Sequence, residues 1–313
     1  MDALGKTNGS SGGGARRLTT RVVRSHGNGH GNFSQPDGTM NLSETFYECL
    51  PLHLSKQEQV RTNASDSLRI MKFGGTSVGD AGCIERVVEI IRSSSPQSNL
   101  VVVVSAMSGV TNKLIEAAAR AEAGDRKTVA AIFDDLRKQH IAAAGLLIQS
   151  MEERERICRQ MEEILEEGEH LCHGTILLRE LTLRSRDAIS SLGERLSSPL
   201  VAAVLASRGV AAEAVDATEL IVTDGNYGAA EPQMEETRER CEARLRPLLE
   251  RGIVPVITGF FGATAEGVLT TLGRGGSDYS ATILGAALDA DEVVIWTDVD
   301  GVLTSDPRHV SGA

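Results

Sequence analysis

The stretch "MKFGGTSVGD", residues 71–80, combines a lysine with a glycine turn that could bind phosphate. Lys72 would supply a positive charge, while Gly74 and Gly75 would let backbone N–H groups approach an oxyanion closely. The spacing is not that of the GxxxxGK[ST] nucleotide loop. Taken alone, a Gly-Gly-Thr-Ser turn is equally typical of a plain connection between a strand and a helix. The rest of the chain must therefore identify the anion.

A second glycine loop, "TTLGRGGSDYSA" at residues 270–281, is more specific because an arginine stands among three glycines. The guanidinium of Arg274 could bind a carboxylate through two hydrogen bonds while the flanking backbone closes in. Ser277 or Asp278 is predicted to cap the following helix, whose amino end would be directed at the same place. Asp278 has the alternative role of a helix cap only. The loop predicts a carboxylate site.

Two further loops offer polar contacts but are weaker signals. "SAMSGVTN", residues 105–112, follows a run of four valines and carries hydroxyl groups at Ser105 and Thr111. In "WTDVDGVLTSDPR", residues 296–308, Thr297 and Asp298 suit a purine or ribose contact and Arg308 suits a phosphate. A surface hairpin would look similar in isolation.

These loops follow predicted strands and are mostly followed by helical patterns. The alternation predicts an α/β fold, a three-layer αβα sandwich with a mostly parallel central sheet, whose active loops lie at the carboxyl ends of the strands. A long charged region at 129–184 has apolar residues spaced three and four apart, and its segment 151–180 is predicted to be an amphipathic helix that packs on the side of the sheet. The predicted strands are 68–73, 100–105, 210–215, 254–260 and 292–297, and the other predicted helices are 81–92, 113–123, 188–207, 235–251 and 278–288.

Composition limits the kinds of partner. The formal net charge of -11 argues against nucleic acid, because binding to a phosphate backbone needs a basic surface. No apolar run approaches the ~18–20 residues that a membrane helix needs, so we expect no membrane partner. The five cysteines are widely spaced and form no CxxC pair, which indicates a reducing compartment without a disulfide framework.

Residues 1–68 differ in composition from the remainder. Nine of the first 38 residues are glycine, and the first 35 carry five basic residues against Asp2 alone. Such a segment cannot bury enough apolar surface to fold, and we predict a disordered N-terminal extension. An Arg-rich, acid-poor start could also be an organellar transit peptide. The predicted location is therefore cytoplasmic, with a plastid as the alternative.

Five segments occur in the order and spacing of the aspartate kinases, which are members of the amino acid kinase family: KFGGTS, VSAMSGVTN, LGERLSS, TLGRGGSDYSA and WTDVDG. The resemblance runs from Ile70 to the last residue and implies an amino acid kinase domain at 69–313. It implies an ATP-dependent enzyme that phosphorylates the side-chain carboxylate of L-aspartate to 4-phospho-L-aspartate, the first step toward lysine, threonine, methionine and isoleucine. It also implies a homo-oligomer in the full-length form.

The resemblance assigns roles to individual residues. Lys72 is similar to the lysine that stabilises the phosphate, Asp278 to the residue that orients it, and Gly74 and Gly75 to backbone donors to the phosphates. Glu194 is expected to face the substrate amine. The remaining implied contacts to aspartate are Arg274, at the α-carboxylate, and Ser105, Thr111, Phe260 and Ser277; those to the nucleotide are Thr297, Asp298, Leu303 and Arg308.

The chemistry of the substrate agrees with this set. An aspartate carboxylate is already ionised at neutral pH, so its attack on the γ-phosphorus needs no general base. The barrier comes from bringing two anions together, which Lys72, Mg²⁺ and helix amino ends would offset. We assign no metal-ligating side chain.

The sequence departs from the family pattern in two ways. Leu303 stands where the family usually has an aromatic residue, so a ring contact near the adenosine is lost or replaced. The family also continues beyond the point where Ala313 ends this sequence, with a further nucleotide-binding lysine and then ACT modules or a homoserine dehydrogenase. The sequence is therefore expected to be a fragment. The alternatives are glutamate or acetylglutamate kinase, or a truncated, catalytically weak subunit.

Overall fold

Six parallel strands form the central sheet of this computed structural model, which describes the backbone of residues 19–24 and residues 67–96 and 98–297. The strand order is β1-β8-β2-β3-β5-β4, and a separate antiparallel pair joins β6 to β7. The predicted α/β class is confirmed. The strands are β1 (Thr19–Arg24), β2 (Leu68–Phe73), β3 (Asn99–Val104), β4 (Ala212–Val215), β5 (Val254–Thr258), β6 (Phe261–Ala263), β7 (Leu269–Thr271) and β8 (Glu292–Thr297).

The two faces of the sheet carry separate apolar cores. Alternate residues of a strand point to opposite faces, so Val102 and Val104 of β3 pack on one side while Val101 and Val103 pack on the other. The first face is covered by α1 (Ala81–Ser94), α2 (Val110–Glu122) and α5 (Leu183–Ser207), and the second by α6 (Met234–Glu250) and α7 (Gly276–Ala287). Burial on both faces explains why β3 reads as a continuous apolar run.

An outer helical layer covers α2 and α5. It consists of α3 (Arg126–Leu147) and α4 (Met151–Leu178), which pack on each other and on α2 and α5. The segment 151–180 was expected to pack on the side of the sheet, and this prediction is wrong, since α4 packs on α2, α3 and α5 instead. The reason is that α5 is buried around most of its circumference, as a helix held between a sheet and a further helical layer must be.

Strand β1 lies inside the segment that composition assigns to a disordered extension. The structure pairs Thr19–Arg24 in parallel with β8, so for these six residues it differs from the prediction. "TTRVVR" is rich in β-branched residues, and the edge of β8 opposite β2 offers the backbone partners that such a segment needs. A composition average over the glycine-rich surroundings hides this short segment.

Strands β2 and β8 end where predicted, and the other predicted elements differ by a few residues at their ends. The helix predicted at 188–207 begins earlier, because Thr182 caps it by accepting a hydrogen bond from the Ser185 N–H. In the part of the chain that the structure describes, every helix is too short or too polar to cross a bilayer.

Candidate active site

A cavity of about 500 Å³ opens at the carboxyl ends of β2, β3 and β8. This is the edge where parallel α/β sheets bind ligands. The loops at 72–77, 105–112 and 270–281 meet at this one cavity, and Thr297 is the described residue of the fourth loop that lines it. The predicted site residues that line it are Lys72, Gly74, Gly75, Ser105, Thr111, Glu194, Phe260, Arg274, Ser277, Asp278 and Thr297.

Lys72 and Asp278 form an ion pair on the wall of the cavity. The alternation of β2 directs Leu68 and Ile70 to the face covered by α7, and Lys72 follows them on that face. Its Nζ atom lies 2.6 Å from Oδ1 of Asp278 in the first turn of α7. The lysine side chain is 9% exposed and the aspartate side chain 48% exposed. The pair thus fixes a cation at the base of an open site.

Two helices begin at the cavity with their N–H groups left free of side-chain caps. The N-cap residues of α2 and α7 are Gly109 and Gly275, both in the left-handed conformation, with φ of 79° and 72°. Glycine adopts this conformation without steric cost. Ser277 or Asp278 was predicted to cap α7, and this is wrong because the N-cap residue is Gly275 and the helix begins at Gly276. The two amino ends offer backbone donors to an anion.

Glu194 is the most strongly perturbed group in the cavity. It lies on α5, is 3% exposed, and its Oε2 atom has no hydrogen-bond partner among the described residues. Burial raises the pKa of its carboxyl to about 8, which hydrogen bonding from the backbone of Ala106 and the charge of Lys72 offset only in part. A cation brought to this carboxylate would restore its ionised form.

Phe260 has an unusual backbone conformation beside the cavity. Its φ is 80°, in a region that costs a non-glycine residue on the order of 1–3 kcal/mol. Hydrogen bonds hold the strained residue on both sides: its N–H donates to Ser280 Oγ at 2.9 Å, and its carbonyl accepts from the Leu272 N–H at 2.8 Å. Gly276 gives it room, since a Cβ there would lie 2.9 Å from the phenyl ring.

The two glycines of the first loop, Gly74 and Gly75, have different surroundings. The Gly74 N–H donates to the Trp296 carbonyl at 3.3 Å and so continues the link between β2 and β8. Its predicted use as a phosphate donor would require it to leave or share that bond. A Cβ on Gly75 would lie 3.1 Å from the Ala106 carbonyl, so a side chain there would crowd the adjacent loop.

Some predictions lie outside the described residues. Asp298, Leu303 and Arg308, the three predicted nucleotide contacts that follow β8, fall in this group. Within residues 67–96 and 98–297, no three His, Cys, Asp or Glu side chains come together as a metal site.

Sequence reasoning missed two features of the site. Gly109 was assigned to a loop, whereas the structure has it as the N-cap residue of α2, a position that glycine can occupy. Asp187 was not singled out at all. It is 1% exposed on α5 and precedes Glu194 by seven residues, about two helical turns, which places both on one helix face. That spacing was readable in the sequence.

The chain is similar to proteins that are named aspartokinases. Lysine-sensitive aspartokinase 3 of Escherichia coli (strain K12) is 37% identical over 248 residues, covering 78% of this chain and 52% of the relative. Aspartokinase 3, chloroplastic, of Arabidopsis thaliana is 39% identical over 249 residues, covering 78% of this chain and 43% of the relative. A solved structure of E. coli aspartokinase III in complex with aspartate and ADP matches with a TM-score of 0.71 at 34% identity, covering 79% of this chain and 52% of that one.

The chain thus spans about half the length of the curated relatives it matches. A model described as the amino acid kinase family matches residues 67–313, which is most of the sequence. The chain therefore belongs to the amino acid kinase family.

Proposed function

We propose that this chain carries the catalytic site of an aspartate kinase, which transfers the γ-phosphoryl group of ATP to the side-chain carboxylate of L-aspartate. The observation that carries the proposal is the meeting of Lys72, Glu194 and Arg274 around one cavity. Each group has a counterpart on the reactants: a phosphoryl group, an ammonium and an α-carboxylate. The names of the relatives support the same activity.

The burial of Glu194 favours a substrate with a free amine. A buried carboxyl of raised pKa gains most from a ligand that brings its own cation, because the pair removes the cost of an isolated buried charge. N-acetylglutamate has no such cation, so it fits less well. L-Glutamate has the same two α-substituents as aspartate and differs by one methylene, which makes it the closest competitor.

The proposed mechanism relies on position and charge. The acceptor carboxylate is ionised at neutral pH and needs no base. Arg274 would bind the α-carboxylate and Glu194 the amine, which together orient the side-chain carboxylate toward the γ-phosphorus. Lys72, held by Asp278 at 2.6 Å, and the amino ends of α2 and α7 would stabilise the charge that develops on the transferring group.

Mg²⁺ would enter with the nucleotide. Mg²⁺ in nucleotide sites is commonly held by one or two carboxylates together with substrate phosphate oxygens and water. Asp278, half-exposed in the cavity, is the side chain that could add one ligand. The ion would supply neutralisation of phosphate charge when bound.

The test is a substrate profile of the 313-residue chain with ATP. L-Aspartate, L-glutamate and N-acetyl-L-glutamate are supplied in turn, and any acyl phosphate is captured by hydroxylamine as a hydroxamate. We expect hydroxamate with aspartate, and none above background in a Lys72→Ala control. Preference for glutamate or N-acetylglutamate would overturn the choice of substrate. Calorimetric binding of ATP and aspartate without hydroxamate would favour the alternative of a catalytically weak subunit.

A further inference from the structure

Asp187 connects the helix that carries Glu194 to the loop that carries Arg274. Its Oδ2 atom accepts hydrogen bonds from the Gly228 N–H at 2.8 Å and the Thr271 N–H at 2.9 Å. Its Oδ1 atom accepts from Thr271 Oγ1 at 2.9 Å. Three donors therefore converge on one carboxylate that is 1% exposed.

One backbone donor stands just before the Arg274 loop in the chain, and the other belongs to a separate segment that packs against this loop. Thr271 is the last residue of β7 and precedes Arg274 by three positions. Gly228 lies in the connection between β4 and α6, and its carbonyl is 3.2 Å from the place where a Cβ on Gly273 would be. The Ala230 N–H also donates to the Thr271 carbonyl at 2.9 Å. The 224–231 segment thus contacts the chain at Thr271 and Gly273, directly before Arg274.

We propose that Asp187 is a positioning residue that fixes the Arg274 loop relative to Glu194. The proposal rests on the proposed function, since it concerns where the α-carboxylate is held relative to the amine. Its physical basis is that the positions of both substrate-binding residues, Glu194 and Arg274, depend on one helix, α5. Glu194 is part of α5, while Arg274 is connected to α5 through the Asp187 carboxylate. A buried carboxylate that accepts hydrogen bonds from three donors is a strong and specific link between the two elements.

The role of Asp187 in fixing the Arg274 loop can be tested without measuring enzyme activity. Hydrogen–deuterium exchange is measured on the 313-residue parent, Asp187→Ala and Asp187→Asn. We expect exchange in residues 224–231 and 271–276 to rise at least about 10-fold in the alanine variant, as expected for loss of a charge-assisted hydrogen bond. The asparagine variant keeps a neutral acceptor and should lie between. Unchanged exchange in these two segments would overturn the proposal.

Asp125→Ala is the matched control. Its carboxylate likewise accepts from the N–H and Oγ1 of one threonine, Thr128, but at the start of α3. We expect faster exchange at the beginning of α3 and none of the change at 224–231 or 271–276. Faster exchange of the Arg274 loop in this control would mean that the Asp187 effect is general loosening.

The functional consequence is a selective loss of aspartate affinity. By calorimetry, Asp187→Ala should weaken aspartate binding about 10–100-fold and Asp187→Asn by less, with ATP binding changed by no more than about twofold. Combined with Arg274→Lys, the two losses should be less than additive, because both act on one contact. Equal losses for aspartate and ATP, or full additivity, would refute the positioning role. A parent chain that binds ATP but no aspartate would contradict the proposed function instead, and the exchange result would still decide the structural role of Asp187.

Discussion

Binding of aspartate should release a proton from Glu194. With a pKa of about 8, the buried carboxyl is protonated in about nine-tenths of the molecules at pH 7. The ammonium of aspartate can pair with it only after that proton leaves. We therefore expect about 0.9 proton released per aspartate bound at pH 7, and about half a proton at pH 8.

The same pKa sets the size of the pH dependence. Because only the ionised fraction accepts the ammonium, the aspartate Kd should fall about tenfold from pH 6 to pH 7 and about fivefold from pH 7 to pH 8. The tenfold step corresponds to about 1.4 kcal/mol of binding free energy, which is the free-energy equivalent of one pH unit for a single ionising group. The direction follows from the sign of the shift: burial raises the pKa of Glu194, so affinity rises with pH up to about 8.

The assay is calorimetric titration at each pH in two buffers of different ionisation enthalpy, which counts the protons. Succinate lacks the amine and is the matched ligand control, for which we expect no proton release from this group. In Glu194→Gln the pH dependence of aspartate binding should disappear. A Kd that does not change between pH 6 and pH 8, or equal proton release with succinate, would refute the assignment of Glu194 to the amine.

Four further predictions follow from single side chains. Lys72→Ala should lower kcat by about 10²–10³ with a smaller effect on aspartate binding, because its charge acts on the transferring phosphoryl group; steady-state kinetics showing only a raised KM for aspartate would contradict this role. Arg274→Lys should weaken aspartate binding about tenfold through loss of the two-pronged contact, and unchanged affinity in calorimetry would exclude it. His140 is fully buried, and burial lowers its pKa below 6.5. Because the folded state holds this imidazole neutral, its contribution to the free energy of unfolding is present above pH 6.5 and is lost as the pH falls below that value. In urea unfolding, the free energy of unfolding should change with pH in this range by up to about 1.4 kcal/mol per pH unit, and His140→Leu should remove that dependence. Gly168→Ala places a Cβ 2.5 Å from Leu192 and should destabilise by about 1–3 kcal/mol, whereas Gly174→Ala on the same helix, with open space around it, should be neutral or stabilising by up to about 1 kcal/mol in the same assay.

The sequence alone was sufficient for the alternation of strands, glycine loops and helices. Apolar runs such as β3 and periodic stretches such as α1 carry their signal within a few residues. Parallel pairing then requires the loops to meet at one edge of the sheet. Arg274 follows β7, which pairs antiparallel with β6 outside the central sheet, so parallel pairing does not account for its place beside Lys72, which the resemblance to the aspartate kinases implied.

The tertiary structure decided the features that depend on long-range packing. The raised pKa of Glu194 comes from burial in the cavity wall, which the local sequence does not encode. The acceptor role of Asp187 depends on donors 41 and 84 positions away in the chain. The outer position of α3 and α4 follows from the burial of α5 between two layers. Periodicity predicts which face of an element is apolar, but only the packed chain determines which element covers that face and how deeply a side chain such as Glu194 is buried.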